Sequence, residues 1–149
     1  MEMALASQPC EYVAGVDLSA DMVSRVTRRL RRYIRAGKAE VRRGDIEALP
    51  YQDHEFTKLC SVNTLYFWRN PSVALAECRR VLRPGGQIAL CFNSKEDLAL
   101  WPGHQYGFKL YELAEVESLL KGAGFTGIEV FVGKDLSQGG FYCITGMIA

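Results

Sequence analysis

Asp17 is the first residue whose type and position suggest chemistry. It closes the short apolar run Tyr12–Val16, and an acid at the carboxyl end of a buried parallel strand can accept two hydrogen bonds from the paired hydroxyls of a ribose. A turn or helix-capping aspartate is the alternative. His104 sits in a long connection without strong periodicity, where an imidazole can act as general base for a hydroxyl or simply be solvated. His54 falls in a turn and is given no chemical part. The five cysteines are widely spaced, with no C-x-x-C pair and no nearby histidines. No metal site and no disulfide framework are expected, and the thiols read as small core hydrophobes in a reducing, cytoplasmic setting.

A basic stripe is the other candidate surface. Between Arg25 and Arg43 lie eight arginines and Lys38, half of the 18 basic residues, with Glu40 the only acid. A polyanion could use such a stripe through phosphate contacts, but a solvated helix face is its commoner origin, and nucleic acid is not the expected partner. The whole chain has 149 residues, 48% hydrophobic and 23% charged, with net charge +1. These proportions exclude a disordered tail or a polyelectrolyte and suit one compact domain spanning 1–149. No run is long and apolar enough to cross a bilayer, and no signal peptide is expected.

The positioning elements follow from pattern. Tyr12–Asp17, Ala39–Arg43, Phe56–Val62, Gln87–Phe92, Gly127–Val132 and Phe141–Met147 read as strands. Ser19 caps an amphipathic helix that runs from Ala20 to a stop at Gly37. Asn70-Pro71 starts a second helix, ended before the turn signal Pro84-Gly85-Gly86, and Leu113 to Leu120 marks a third. The last two strands are expected to form an antiparallel hairpin. The fold class is α/β, with a mostly parallel sheet.

Several segments then resemble class I S-adenosylmethionine-dependent methyltransferases: Asp17-Leu18-Ser19 with Met22, Gly44 to Tyr51, Phe56, Glu77 to Gly86, and Gly124-Phe125. The likeness is greatest to the small-molecule branch that includes ubiquinone and menaquinone biosynthesis methyltransferases. The resemblance implies a Rossmann-like sheet with S-adenosylmethionine as cofactor and a small-molecule acceptor. It implies that Asp17 grips the ribose, Asp45 faces the adenine amino group, and Leu18 with Ile46 packs on the adenine ring. A purely structural turn is the alternative for Asp45. Asn63 is then the amide where sulfonium and acceptor meet, touching the cofactor too, with Tyr66 and Trp68 as aromatic faces for a cation or planar acceptor. Tyr66 to Trp68 covering the sheet edge is the alternative. Asn63, Tyr66 and His104 are the candidate catalytic residues; methyl transfer asks mainly for in-line positioning.

The chain departs from that pattern in two places. Only 16 residues precede Asp17 and the first glycine is Gly15, so the glycine-rich loop that would hold the methionine end is missing and the domain reads as N-terminally truncated. Thr57 and Lys58 follow Phe56 where the family usually has an aspartate. The first central strand is therefore expected to be missing or replaced: by Met1–Pro9, by closure of the orphaned strands, or by strand exchange in a homodimer. Two functions follow: methyl transfer to a small molecule, or a non-catalytic binding or assembly module that has lost the cofactor.

Overall fold

A computed structural model describes residues 11–99, 108–135 and 139–149. The chain divides into two compact units, Met1–Pro50 and Tyr51–Ala149. His104 lies outside the described residues.

In the first unit β1 (Val13–Asp17) is followed by α1 (Ala20–Arg29), α2 (Arg31–Arg35) and β2 (Ala39–Arg43). β1 and β2 pair in parallel, from Val13 opposite Ala39 to Asp17 opposite Arg43. Ser19 caps α1 as expected, its Oγ accepting from the Met22 amide at 3.3 Å. The single predicted helix is instead interrupted at Leu30, whose side chain is buried while α1 and α2 themselves bury none. Four arginines flank that break at positions 28, 29, 31 and 32, and like charges three and four residues apart oppose helix continuation there. The apolar residues Val23, Val26, Tyr33 and Ile34 are half-buried and the arginines are exposed.

In the second unit β3 (Phe56–Val62) leads through a 3-10 turn (Leu65–Phe67) to α3 (Pro71–Val81) and β4 (Leu82–Asn93), then α4 (Lys95–Ala99), α5 (Leu113–Gly122), β5 (Thr126–Asp135) and β6 (Gly139–Met147). The sheet order is β3-β4-β6-β5, with β3 and β4 parallel and the two C-terminal strands antiparallel. Ile88, Leu90 and Phe92 alternate along β4 and are buried, with Leu75, Cys78 and Val81 of α3, Val116 and Leu120 of α5, and Ile144 of β6. Each such large side chain contributes about 1.5–3 kcal/mol by leaving water. Asn70 Oδ1 accepts from the Val73 amide and Pro71 opens the helix, as the sequence predicts.

Much of the Glu77–Gly86 segment is explained by structure alone. Arg80 grips Glu77, the Asp53 carboxylate at 2.7 Å and the Tyr51 carbonyl, tying α3 to the turn before β3. Arg83 donates to the His54 carbonyl at 3.0 Å. Pro84-Gly85-Gly86 is a bulge inside β4 rather than its start: Phe56 pairs with Leu82 and Lys58 with Gln87, and Gly85 and Gly86 exchange hydrogen bonds with Ile148. A Cβ on Gly86 would lie 2.7 Å from the Arg83 carbonyl oxygen. Gly86→Ala is therefore expected to destabilise by about 1–3 kcal/mol, read as a lower urea midpoint at unchanged slope.

The cysteines correct the sequence reading. Cys78 is core, as expected, and burial, then the Glu77 charge, pushes its thiol up to about 12. Cys60 is exposed, and Cys91 and Cys143 face each other across the β4–β6 ladder and are disulfide-bonded. Their partnership is a matter of register, invisible to spacing along the chain. Cys10 lies outside the described residues.

Two strands lack the burial usual for parallel sheets. Every residue of β1 is only half-buried, and on β3 Cys60 is exposed and Val62 is 56% exposed. Among the described residues β1 pairs with β2 alone and β3 with β4 alone.

Candidate functional site

At the carboxyl ends of β1 and β2 the first unit brings together four of the residues singled out from sequence. The Gly44 amide donates to the Asp17 carbonyl at 3.1 Å, which sets the turn after β2 against the end of β1. Gly44 is needed for that approach, since a Cβ there would sit 3.1 Å from Pro50 Cδ and 3.2 Å from Val16 Cγ1. Asp17 uses Oδ1 to accept from the Ser19 amide at 2.8 Å. This is the turn role named as the alternative, yet it occupies one oxygen and leaves Oδ2 for a ligand hydroxyl. Leu18 is 64% exposed, and its carbonyl accepts from Arg43 Nε at 3.1 Å. Asp45 closes its own turn, accepting from the Glu47 amide on Oδ1 at 3.0 Å, with the Ala48 amide on its carbonyl. Ile46 beside it is half-buried.

In the second unit Asn63 stands at the carboxyl end of β3 with φ of 54°, a left-handed conformation that asparagine tolerates better than most side chains. Its amide is held by the Cys91 carbonyl at 2.9 Å. The Tyr66 hydroxyl donates to Asn63 Oδ1 at 3.3 Å and accepts from the backbone amide of Asn93. Burial pushes that hydroxyl above its ordinary value, against the smaller opposing pull of the Asn93 amide, so Tyr66 stays protonated as a donor at neutral pH. Trp68 is buried and donates its indole N–H to Thr64 Oγ1 at 3.2 Å. Tyr66 and Trp68 are thus both buried, with their polar atoms engaged by Asn63, Asn93 and Thr64.

The exposed ring of this segment is Phe67, 60% accessible and edge-on to Phe108 with centroids 4.6 Å apart. Sequence reasoning passed over this pair, and over Asn93 and Ser94, two buried polar residues, the first ending β4 and the second following it. Their one signal is a polar pair directly after the Ile88–Phe92 run. A groove of about 1150 Å³ beside α3 and α5, lined by Arg79, Lys109, Tyr111 and Ser118 among others, includes neither Asn63 nor Tyr66. Among the described residues no group of His, Cys, Asp or Glu could hold a metal ion.

The comparisons with known proteins agree with this geometry. A family described as a methyltransferase domain matches residues 2–90. YdaC, an uncharacterized methyltransferase of Bacillus subtilis, is 25% identical over 87% of this chain and 67% of its own length. The chain spans only about a quarter of the length of other curated relatives it matches. Among solved structures, a SAM-dependent methyltransferase of Aquifex aeolicus superposes with a TM-score of 0.73 at 22% identity, over 93% of this chain and 69% of that one. A geranyl diphosphate methyltransferase in complex with SAM reaches 0.82 at 14% identity, over 99% and 73%. These likenesses carry the fold, an α/β Rossmann-like sheet with an antiparallel C-terminal hairpin. With the family match covering well over half of the sequence, and with its acids at the ends of β1 and β2, the chain belongs to the methyltransferase domain family and has the class I methyltransferase fold.

Proposed function

We propose that this chain serves methyl transfer from S-adenosylmethionine to a small-molecule acceptor, in a branch resembling ubiquinone and menaquinone biosynthesis methyltransferases. The observation that carries the reading is the placement of Asp17, Leu18, Asp45 and Ile46 at neighbouring carboxyl ends of β1 and β2. The free Oδ2 of Asp17 suits a ribose hydroxyl, and the exposed Leu18 with the half-buried Ile46 suits an adenine ring. When bound, the sulfonium supplies an already activated methyl group. The protein then has to orient and desolvate. Asn63 and Tyr66 form the acceptor-side pair in this reading, the Tyr66 hydroxyl donating to Asn63 Oδ1. His104 remains the proposed base.

Affinity is expected to come in part from the nucleoside side, where Asp17, Leu18, Asp45 and Ile46 stand. A strand-exchanged homodimer stays part of the proposal, and light scattering of the purified chain tests it. A cytoplasmic location, expected from the cysteine usage, stays part of the proposal as well.

Calorimetric titration with S-adenosylhomocysteine is the direct test. Micromolar binding supports the proposal. Absence of heat at millimolar ligand overturns it and leaves the non-catalytic module that has lost its cofactor.

A further inference from the structure

The net charge of +1 conceals a strong segregation. Residues 20–43 carry nine Lys and Arg against Asp21 and Glu40, net +7, which leaves −6 for the rest of the chain. Several cations elsewhere hold oxygens of the fold: Arg80 its two carboxylates, Arg83 the His54 carbonyl, Lys95 Glu112, and Lys121 Glu117, while Lys58 and Arg79 stand singly and far apart in sequence. At the basic end of β2, Arg42 likewise holds Glu40 and the Pro50 carbonyl.

The helical cations are different. Arg25, Arg28, Arg31 and Arg35 are exposed, and none has an ion-pair or hydrogen-bond partner among the described residues. Arg32 does no more than stack on and bond to the neighbouring Tyr33 ring. These side chains stand three and four residues apart, so they repel one another along the helix surface. Among the described residues no acid pairs with these four to relieve that repulsion. A local conflict of this kind, without a compensating contact, marks a surface shaped for something outside the chain.

We propose that the outward face of α1 and α2 docks on the phosphate backbone of a nucleic acid. Arg25 and Arg28 stand on α1 and Arg31 and Arg35 on α2, either side of the break at Leu30, enough cations to meet several phosphates, and guanidinium forks match phosphate oxygens in pairs. An anionic membrane would also attract the charge, but an interfacial helix must bury an apolar face in lipid. Here only part of that face is free to enter lipid: Leu30 is 2% exposed and Val23, Val26, Tyr33 and Ile34 are half-buried, which leaves Met22 as its exposed apolar residue. The contact reads charge and backbone spacing rather than base sequence. It is independent of the methyl-transfer reading, since it uses none of the residues placed at the strand ends.

The test is fluorescence anisotropy of the full chain with a labelled, mixed-sequence single-stranded RNA and with a duplex DNA, without cofactor. Four phosphate contacts predict that affinity falls roughly 50- to 150-fold between 50 and 200 mM salt. The quadruple change Arg25→Gln, Arg28→Gln, Arg31→Gln and Arg35→Gln, which keeps good helix formers, is expected to weaken binding at least about tenfold at the lower salt and to flatten the salt slope. The pair Lys58→Gln and Arg79→Gln should change neither. No binding at low salt, or binding indifferent to the quadruple change while circular dichroism is unaltered, overturns the proposal. So does displacement of the RNA by phosphatidylserine vesicles that bind through the same four arginines, which would make a lipid surface the partner.

Discussion

Asp17→Ala is expected to weaken S-adenosylhomocysteine binding by about 10- to 150-fold. A carboxylate hydrogen bond to a ligand hydroxyl is worth about 1.5–3 kcal/mol, so loss of the one that Oδ2 can accept gives that range. The prediction has to be separated from the structural role of the same side chain. Asp17 Oδ1 already holds the Ser19 amide, and removing it also loosens the start of α1, a helix-end contact worth about 1 kcal/mol. Asp17→Asn is the informative companion, because an amide oxygen can still accept from Ser19 but offers the ribose a neutral partner. If the ligand reading holds, Asn recovers most of the thermal stability lost in Ala while affinity stays at least about tenfold down. Equal affinity in all three proteins, with only Tm moving, would leave Asp17 as a turn residue and remove the principal support for a nucleoside at the end of β1.

How far the site could be read in advance follows from the range of the interactions that build it. The Ser19 cap, the Asn70-Pro71 start and the alternation in Ile88–Phe92 act over a few residues, and they appear in the structure where the sequence puts them. The same holds for Asp17 and Asp45, because β1 is an apolar run that stops at a turn and Gly44-Asp45 closes β2. What escaped is non-local. Pro84-Gly85-Gly86 looks like a turn in isolation, yet Ile148 bonds to both glycines and makes the segment a bulge within β4. The break at Leu30 depends on where one buried side chain is anchored while its charged neighbours face water. Tyr66, Phe67 and Trp68 are equivalent as composition, and packing alone decides that two are buried and the middle one meets Phe108.

Exposure of β1 and β3 bears on the chemistry as well as the fold. A strand with a single partner keeps one row of backbone groups available to another strand. In the first unit that strand also bears Asp17, so whatever pairs with β1 would steady the carboxylate. Nucleoside affinity measured on this chain therefore reports the grip of Asp17, Leu18, Asp45 and Ile46 on their local turns, held by the Gly44–Asp17 and Glu47–Asp45 hydrogen bonds.

The cross-link between Cys91 and Cys143 yields the largest expected change in stability. It closes a loop with a sequence separation of 52, and chain-entropy bookkeeping assigns about 4 kcal/mol to a loop of that size. Its position suits a stabilising part: Leu90 and Ile144 are paired beside it and buried, and the Phe92 and Tyr142 rings lie 5.7 Å apart on its other side. Reduction should leave this packing intact in the folded state, so the loss arises mainly in the unfolded ensemble. Urea unfolding of the oxidised chain is therefore expected to show a midpoint higher than that of Cys91→Ser with Cys143→Ser, equivalent to about 2–4 kcal/mol, and a smaller slope because the cross-linked unfolded chain exposes less surface. Dithiothreitol should bring the parent to the level of the double variant and leave the variant unmoved. Four titratable thiols among Cys60, Cys78, Cys91 and Cys143 in non-reducing denaturant, or a parent midpoint indifferent to reductant, would show that the β4–β6 ladder holds by its backbone and side chains without the bond.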